Sequence, residues 1–367
     1  MISDRFDGPD WNKAGQERYM GAMNNPPRPD LRHARRLCVA PMMDWTDRHC
    51  RMFHRQFTAH ALLYTEMVTA SAILHGDAAH LLRHDAVEHP LALQLGGSDP
   101  DELAQTVRIA APFGFAEINL NVGCPSDRVQ SGTFGACLMR QPDLVADCAA
   151  AMIAANGATG PEITVKCRIG VDDQDPGVVL PDFIDRVAAA GVRVFAVHAR
   201  KAWLAGLSPK QNRDVPPLDY VLVGRVKRAR PDLDIILNGG IASLEQARRH
   251  LADGFDGAMI GRAAYHEPAG ALGGADGVVT GRAMAPVVAE AAVRAMYPYI
   301  EAELAAGARL AQITRHMLGA FAGRPGARLW RRILSEGAHR PGAGVELIDR
   351  ALAVIAPIRI PANTAAE

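Results

Sequence analysis

Cysteine is scarce in this chain, and none of it is spaced as metal or disulfide chemistry requires. The six thiols are Cys38, Cys50, Cys124, Cys137, Cys148 and Cys167. No C-x-x-C pair occurs among them, which argues against a zinc ribbon or a thioredoxin-like centre. So few cysteines in 367 residues, two of them (Cys38 and Cys167) inside apolar strand patterns, predict reduced thiols in a cytosol and no metal site. Long hydrophobic runs are missing too. None reaches membrane-spanning length, and the opening MISDRFDGPDWNKAG has no apolar signal core, so the expectation is a cytoplasmic protein with no membrane partner. Net charge is also absent. Forty Lys+Arg against 40 Asp+Glu leave local clustering as the only route to a polyanion partner. Finally, no glycine fingerprint opens a helix after the first strand-like run, which counts against a doubly wound dinucleotide fold.

What is present is a rhythm. Short strand-like runs cover residues 37–41, 62–67, 90–97, 116–121, 163–170, 192–199, 234–240 and 255–262. Helix-like segments separate most of them: 100–111 after the cap candidate Asp99, then 142–155, 181–190, 220–230 and 243–252. Eight β units alternating with helices match an α/β fold of the (β/α)8 TIM-barrel type. Residues 1–34 read as a loose arm, 35–268 as the barrel and 269–284, rich in Gly, Ala and Pro, as a linker. Residues 285–357 read as a small C-terminal helical domain and 358–367 as a tail.

The stretch 117–128, EINLNVGCPSDR, organises the rest. Ile118 and Leu120 face one way and Asn119 and Asn121 the other, after which Gly123, Cys124 and Pro125 end the strand. In a barrel, chemistry sits where strands end. Polar groups recur there: Met42, Met43 and Asp44; Glu66; Gln94; Asn121 and Cys124; Lys166 and Arg168; His198 and Arg200; Asn238, Gly239 and Gly240; Gly261 and Arg262. The seventh and eighth strand ends, ILNGG and MIGR, suit a phosphate, with glycine N–H groups and the Arg262 guanidinium as donors, although a Gly-Gly alone is also a turn. Lys166, His198 and Gln94 interrupt apolar runs, and a bound anionic cofactor would supply their partner. Cys124 would by default be an inert buried thiol. At a strand mouth near Gly123, Gly132 and Gly135 it becomes a candidate general acid, because thiols are mostly protonated at neutral pH. Between Glu303 and Glu336 there is no acid, while Arg309, Arg315, Arg324, Arg328, Arg331 and Arg332 are present. Arg328, Arg331 and Arg332 share a helix face, which reads equally as an RNA-binding surface or a solvated one.

Taken together, PMMDWTDRHCR, YTEMVT, LQLGGSDP, EINLNVGCPSDRVQ, GACLMR, VKCRIG, HARKAWL, GLSPKQNRDVPPLDY and NGGI resemble the tRNA-dihydrouridine synthase family, and in particular its A subfamily. The resemblance runs from about Leu37 to Val354 and includes the C-terminal HMLGAF and PGARLWRRILSE. It implies an FMN-containing barrel followed by a helical tRNA-binding domain, acting as a monomer. The implied reaction reduces the C5–C6 double bond of uridines at the tip of the tRNA D loop, with NADPH as reductant. Hydride would pass from reduced FMN to C6 and a proton from Cys124 to C5. By position, Pro41, Met42, Met43, Gln94, Lys166, His198, Asn238, Gly239, Gly240, Gly261 and Arg262 are the implied FMN site. Asn121, Lys210, Gln211, Asn212, Arg213, Asp214, Arg328 and Arg331 are the implied tRNA contacts. Two other readings stay open: a flavin barrel reducing a small free pyrimidine or enone, and a non-catalytic RNA-binding protein.

Overall fold

The computed structural model describes residues 31–126, 134–157 and 159–356. Eight strands form a closed, all-parallel barrel in sequence order: β1 (Leu37–Val39), β2 (Leu62–Thr69), β3 (Leu91–Gly96), β4 (Glu117–Val122), β5 (Glu162–Arg168), β6 (Val194–His198), β7 (Asp234–Asn238) and β8 (Gly257–Ile260). The TIM-barrel expectation is met. Several of the helices that follow strands open on a side-chain cap at the barrel's upper rim. Asp47, Asp99, Asp219 and Ser243 each accept a backbone N–H from the first turn.

The alternation read in β4 decides which residues face inward. Ile118, Leu120 and Val122 join the apolar layer under the outer helices, while Glu117, Asn119 and Asn121 line the interior. Their registered neighbours on β5 are Glu162, Thr164 and Lys166. The opposite wall is apolar, built from Cys38, Leu62, Ala196, Ile236 and Met259. The barrel interior is therefore polar on β3–β5 and oily elsewhere.

Three boundaries differ from the sequence reading, each for a local reason. The helix expected over 181–190 starts earlier, at Pro176–Ala189, because Asp175 caps Gly177 and Pro176 takes the first helical position; Pro181 lies inside the helix. The segment expected as a linker, 269–284, forms two packed helices, Pro268–Leu272 and Ala275–Thr280, whose Ala271, Leu272, Ala275, Val278 and Val279 are buried. One of its five glycines allows a close approach: a Cβ on Gly273 would stand 2.8 Å from the Val287 carbonyl oxygen. The expected arm ends sooner than residue 34, since Leu31–Arg35 is a helix with Ala34 and Arg35 buried. The rest of the arm and the 358–367 tail lie outside the described residues.

Helices Ala289–Ala295, Tyr297–Ala305, Leu310–Thr314, Ala327–Gly337 and Val345–Leu352 form the expected C-terminal lobe. Its centre is Trp330, fully buried, edge-on to Phe321 at 4.8 Å and donating from Nε1 to the Met317 carbonyl. The lobe docks on the β1 loop and the Arg48–Arg55 helix. Asp47 Oδ2 meets Arg315 Nη2 at 2.6 Å and His316 Nε2 at 2.9 Å, Arg48 pairs with Glu303, and His49 meets the Tyr299 hydroxyl at 2.7 Å. Among the described residues no helix is long and apolar enough to cross a membrane.

Burial alone would raise the Asp47 carboxyl, but His316, the Cys50 N–H and Arg315 hold it well below the usual carboxylate range. A carboxyl depressed by folding adds stability above its unfolded value near ~3.9 and loses it as pH falls below that. Asp47→Asn should therefore lower stability at pH 7 by about 1–3 kcal/mol in urea titrations, with the deficit shrinking below pH ~4. An equal deficit at acid pH would show that the charge is not what joins the lobes.

Candidate active site at the barrel mouth

Cys124 sits half-buried just past β4, in a loop held by one side chain. Asn121 Oδ1 accepts from both Gly123 N and Cys124 N at 3.0 Å, and the Cys124 carbonyl accepts from Ala136 N at 2.9 Å. Among the described residues the thiol meets Ser126 Oγ, at 3.5 Å. Gly132, expected to loosen this loop, lies outside the described residues.

Arg168, at the end of β5, ties that loop to the next one. Its Nε donates to the Gly123 carbonyl at 3.1 Å and its Nη1 to the Asn212 carbonyl at 3.0 Å. Arg168 is the registered neighbour of His198, and His198 of Asn238, so the thiol loop, the histidine and the Asn-Gly-Gly turn form one continuous rim. The Asn238 amide donates to the Met259 carbonyl, and Gly239 and Gly240 adopt left-handed φ values of 107° and 71°. Side chains have no place there: a Cβ on Gly240 would lie 2.6 Å from Leu218, and one on Gly239 3.3 Å from the His198 ring.

The rim is strongly electropositive. Burial and then Arg168 push Lys166 down to about 8; burial also pushes Arg168 down, to about 10. His198 is held well below its ordinary value by burial, then by Arg168, Lys166, Arg200 and Arg213. Buried nitrogens of three of these residues, His198 Nδ1, Arg200 Nε and Arg213 Nε, have no partner among the described residues. At the rim's edge Arg262 pairs with Asp214 at 2.7 Å. Pro41 and Met42 lead into the β1 loop, where Met43 is 52% exposed and Asp44 holds a left-handed φ of 64°, its N–H donating to Glu66.

Three expected contacts are placed differently. Gln94 was expected to find its partner in a cofactor. It is buried instead with both ends of its amide engaged, Nε2 to Asn119 Oδ1 and Oε1 from Asn121 Nδ2, each at 2.8 Å. Asn121, expected to touch RNA, spends its amide on Gln94 and the thiol loop. Asn212, expected likewise, is fully buried and holds its own loop together through Trp203 N, Trp203 O and Leu207 O. Lys210, Gln211, Asp214, Arg328 and Arg331 are exposed and Arg213 is half-buried. Sequence reasoning missed a cleft of about 640 Å³ between barrel and lobe, lined by Arg48, His49, His80, Arg83, Arg309, Arg315 and His339, with Asp47 as its one acid among the described residues. Its residues come from four separate segments, and only the acid-free run around Arg309 and Arg315 hinted at it. No group of three or more acidic, histidine or cysteine side chains is placed to hold a metal among the described residues.

Comparison with known proteins gives the chain a family. Residues 38–355 match the family model described as dihydrouridine synthase (Dus). A protein of Xanthomonas axonopodis pv. citri (strain 306) named tRNA-dihydrouridine(20/20a) synthase is 59% identical over 317 residues, 86% of this chain and 93% of that one. One of the same name from Escherichia coli (strain K12) is 53% identical over 335 residues, 91% of this chain and 95% of that one. Among solved structures, a 2-naphthoyl-CoA reductase complex superposes with a TM-score of 0.52 at 11% identity, covering 67% of this chain and 50% of that one, a likeness of fold alone. With a family match spanning the barrel and its lobe, and relatives of this identity over nearly their whole length, the chain belongs to the dihydrouridine synthase family.

Proposed function

We propose that this chain is a flavin-dependent oxidoreductase that reduces the C5–C6 double bond of D-loop uridines in tRNA, at positions 20 and 20a as in the names of its relatives. It would work in the cytoplasm as a monomer. The observation that carries the reading is the unbalanced positive rim beside the Cys124 loop. Among the described residues, Lys166, Arg168, Arg200 and Arg213 crowd His198, Arg262 pairs with Asp214, and buried nitrogens of His198, Arg200 and Arg213 lack partners.

Those residues suit FMN. Lys166 and His198 would meet its ring, and the N–H groups of the Asn238–Gly240 turn and of Gly261 with Arg262 would take its phosphate. Pro41, Met42 and Met43 would close the apolar side. Bound there, FMN supplies hydride and NADPH restores it. Gln94 gives one amide N–H to Asn119 and accepts from Asn121, so it braces the wall and keeps a second N–H that would meet the flavin. Cys124 Sγ would hold the proton that C5 receives, and Asn121 fixes the backbone from which that thiol projects. A uridine stacked in folded tRNA must be turned out to reach this rim. Gripping the RNA would fall to Lys210, Gln211, Arg213 and Asp214 beside the mouth, to the exposed Arg328 and Arg331, and to the basic cleft between the lobes.

The direct test is mass spectrometry of unmodified tRNA incubated with protein, FMN and NADPH. Dihydrouridine should form with wild type, and Cys124→Ala should keep FMN and NADPH oxidation while losing ~10²–10⁴-fold in product rate. Equal reduction of free uridine would remove RNA from the reading, and an unchanged Cys124→Ala would remove the thiol. Because Lys166 titrates at about 8, its charge and hence FMN affinity should fall as pH rises through that value. Fluorescence titration should show this slope, and Lys166→Met should flatten it. Arg83→Gln with Arg309→Gln, and separately Arg328→Ala with Arg331→Ala, should each weaken tRNA binding and reduce the log–log salt slope by ~0.7–0.9 per lost contact. An unaltered slope would mark that surface as merely solvated.

A further inference from the structure

The hydrogen bonds inside β3–β5 run in one direction, and we infer that Thr164 and Asn119 are positioning residues for Cys124, carrying an orientation set by Glu117 up to the thiol loop. The inference rests on the proposed role of Cys124 as proton donor. Glu117, at the start of β4, is fully buried and held by Arg35 at 2.8 Å. Its Oε1 accepts from the Tyr64 hydroxyl at 2.6 Å and from Thr164 Oγ1 at 2.7 Å. A carboxylate paired with a guanidinium only accepts, so Thr164 must spend its single hydrogen there.

Everything above follows from that one donor. Thr164 oxygen is left to accept from Asn119 Nδ2 at 2.8 Å. Asn119 then turns its oxygen to Gln94 Nε2, and Gln94 its oxygen to Asn121 Nδ2, each at 2.8 Å. Asn121 therefore presents oxygen, not nitrogen, to the backbone N–H groups of Gly123 and Cys124. Reversing the amides would set an NH2 against two N–H donors. Water offers no easy substitute, because Thr164, Asn119 and Gln94 are 1%, 0% and 1% exposed. The carboxylate at the barrel's lower end thus decides how the loop holding the thiol is fastened at the upper end.

Thr164→Val keeps the side chain's shape and removes the hydrogen. In FMN-loaded protein it should leave NADPH oxidation without tRNA unchanged and lower kcat for tRNA reduction on the order of tenfold, with KM for tRNA unmoved. Alkylation of Cys124 by iodoacetamide, followed by peptide mass spectrometry, should become severalfold faster as the loop loosens. Thr164→Ser, which retains the hydroxyl, should restore both. Glu117→Gln is the second probe, since Arg35 keeps Glu162 as a partner at 2.7 Å, and it should reproduce the Thr164→Val pattern. Wild-type values for kcat and alkylation in either Thr164→Val or Glu117→Gln would overturn the inference, as would parallel loss of NADPH oxidation. Should wild type itself fail to reduce tRNA, the functional reading falls while the alkylation rates still test the relay.

Discussion

A carboxylate and a guanidinium sealed under the barrel make its polar half tolerable. Glu117 and Arg35 are 0% and 2% exposed, and neither charge could be buried there alone. Arg35 comes from a short helix preceding β1 and reaches across to Glu117 on β4, and Glu162 at the start of β5 shares its charge. The barrel floor is thus closed by chemistry rather than by a plug of leucine. That choice propagates: Tyr64 and Thr164 are recruited as donors, and amides follow above them. Each added polar group is affordable only because the one below it is already satisfied.

The two ends of the barrel therefore solve opposite electrostatic problems. At the floor one guanidinium lies between two carboxylates, the buried Glu117 and the partly exposed Glu162, so the buried charges are paired. At the rim, cations crowd one another, and their mutual repulsion together with burial lowers Lys166 and His198. Such a rim is destabilising by itself. It persists because Arg168 is anchored on the carbonyls of Gly123 and Asn212, so it braces the mouth while adding to its field.

Much of this was legible in the letters. Alternation in 117–121 separated the inward asparagines from the outward Ile118 and Leu120 without any tertiary knowledge, and the strand count led to the barrel. The polar residues at strand ends were found because an apolar run interrupted by lysine or histidine is costly without a partner. The partner's identity was not legible. That Gln94 also has Asn119 and Asn121 as partners was not legible, because register between neighbouring parallel strands is not written in either strand alone. Asn212 misled for a related reason: an asparagine in a polar loop looks exposed until the loop folds around it. The helices at 268–280 were hidden because small residues that permit close packing have the composition of a linker. The basic cleft between the lobes draws on residues more than 200 positions apart, beyond any local pattern.

The loop after β1 serves two masters. Met42 and Met43 stand at the rim, while Asp47, a few residues on, caps the next helix and grips Arg315 and His316 of the lobe. Between them Asp44 is locked in a left-handed turn against Glu66. This run has little slack, so it behaves as a gauge block between the two halves of the molecule. Lengthening it by one residue would leave each half intact yet set the lobe out of true with the mouth, and an elongated guest spanning both would meet the wrong spacing.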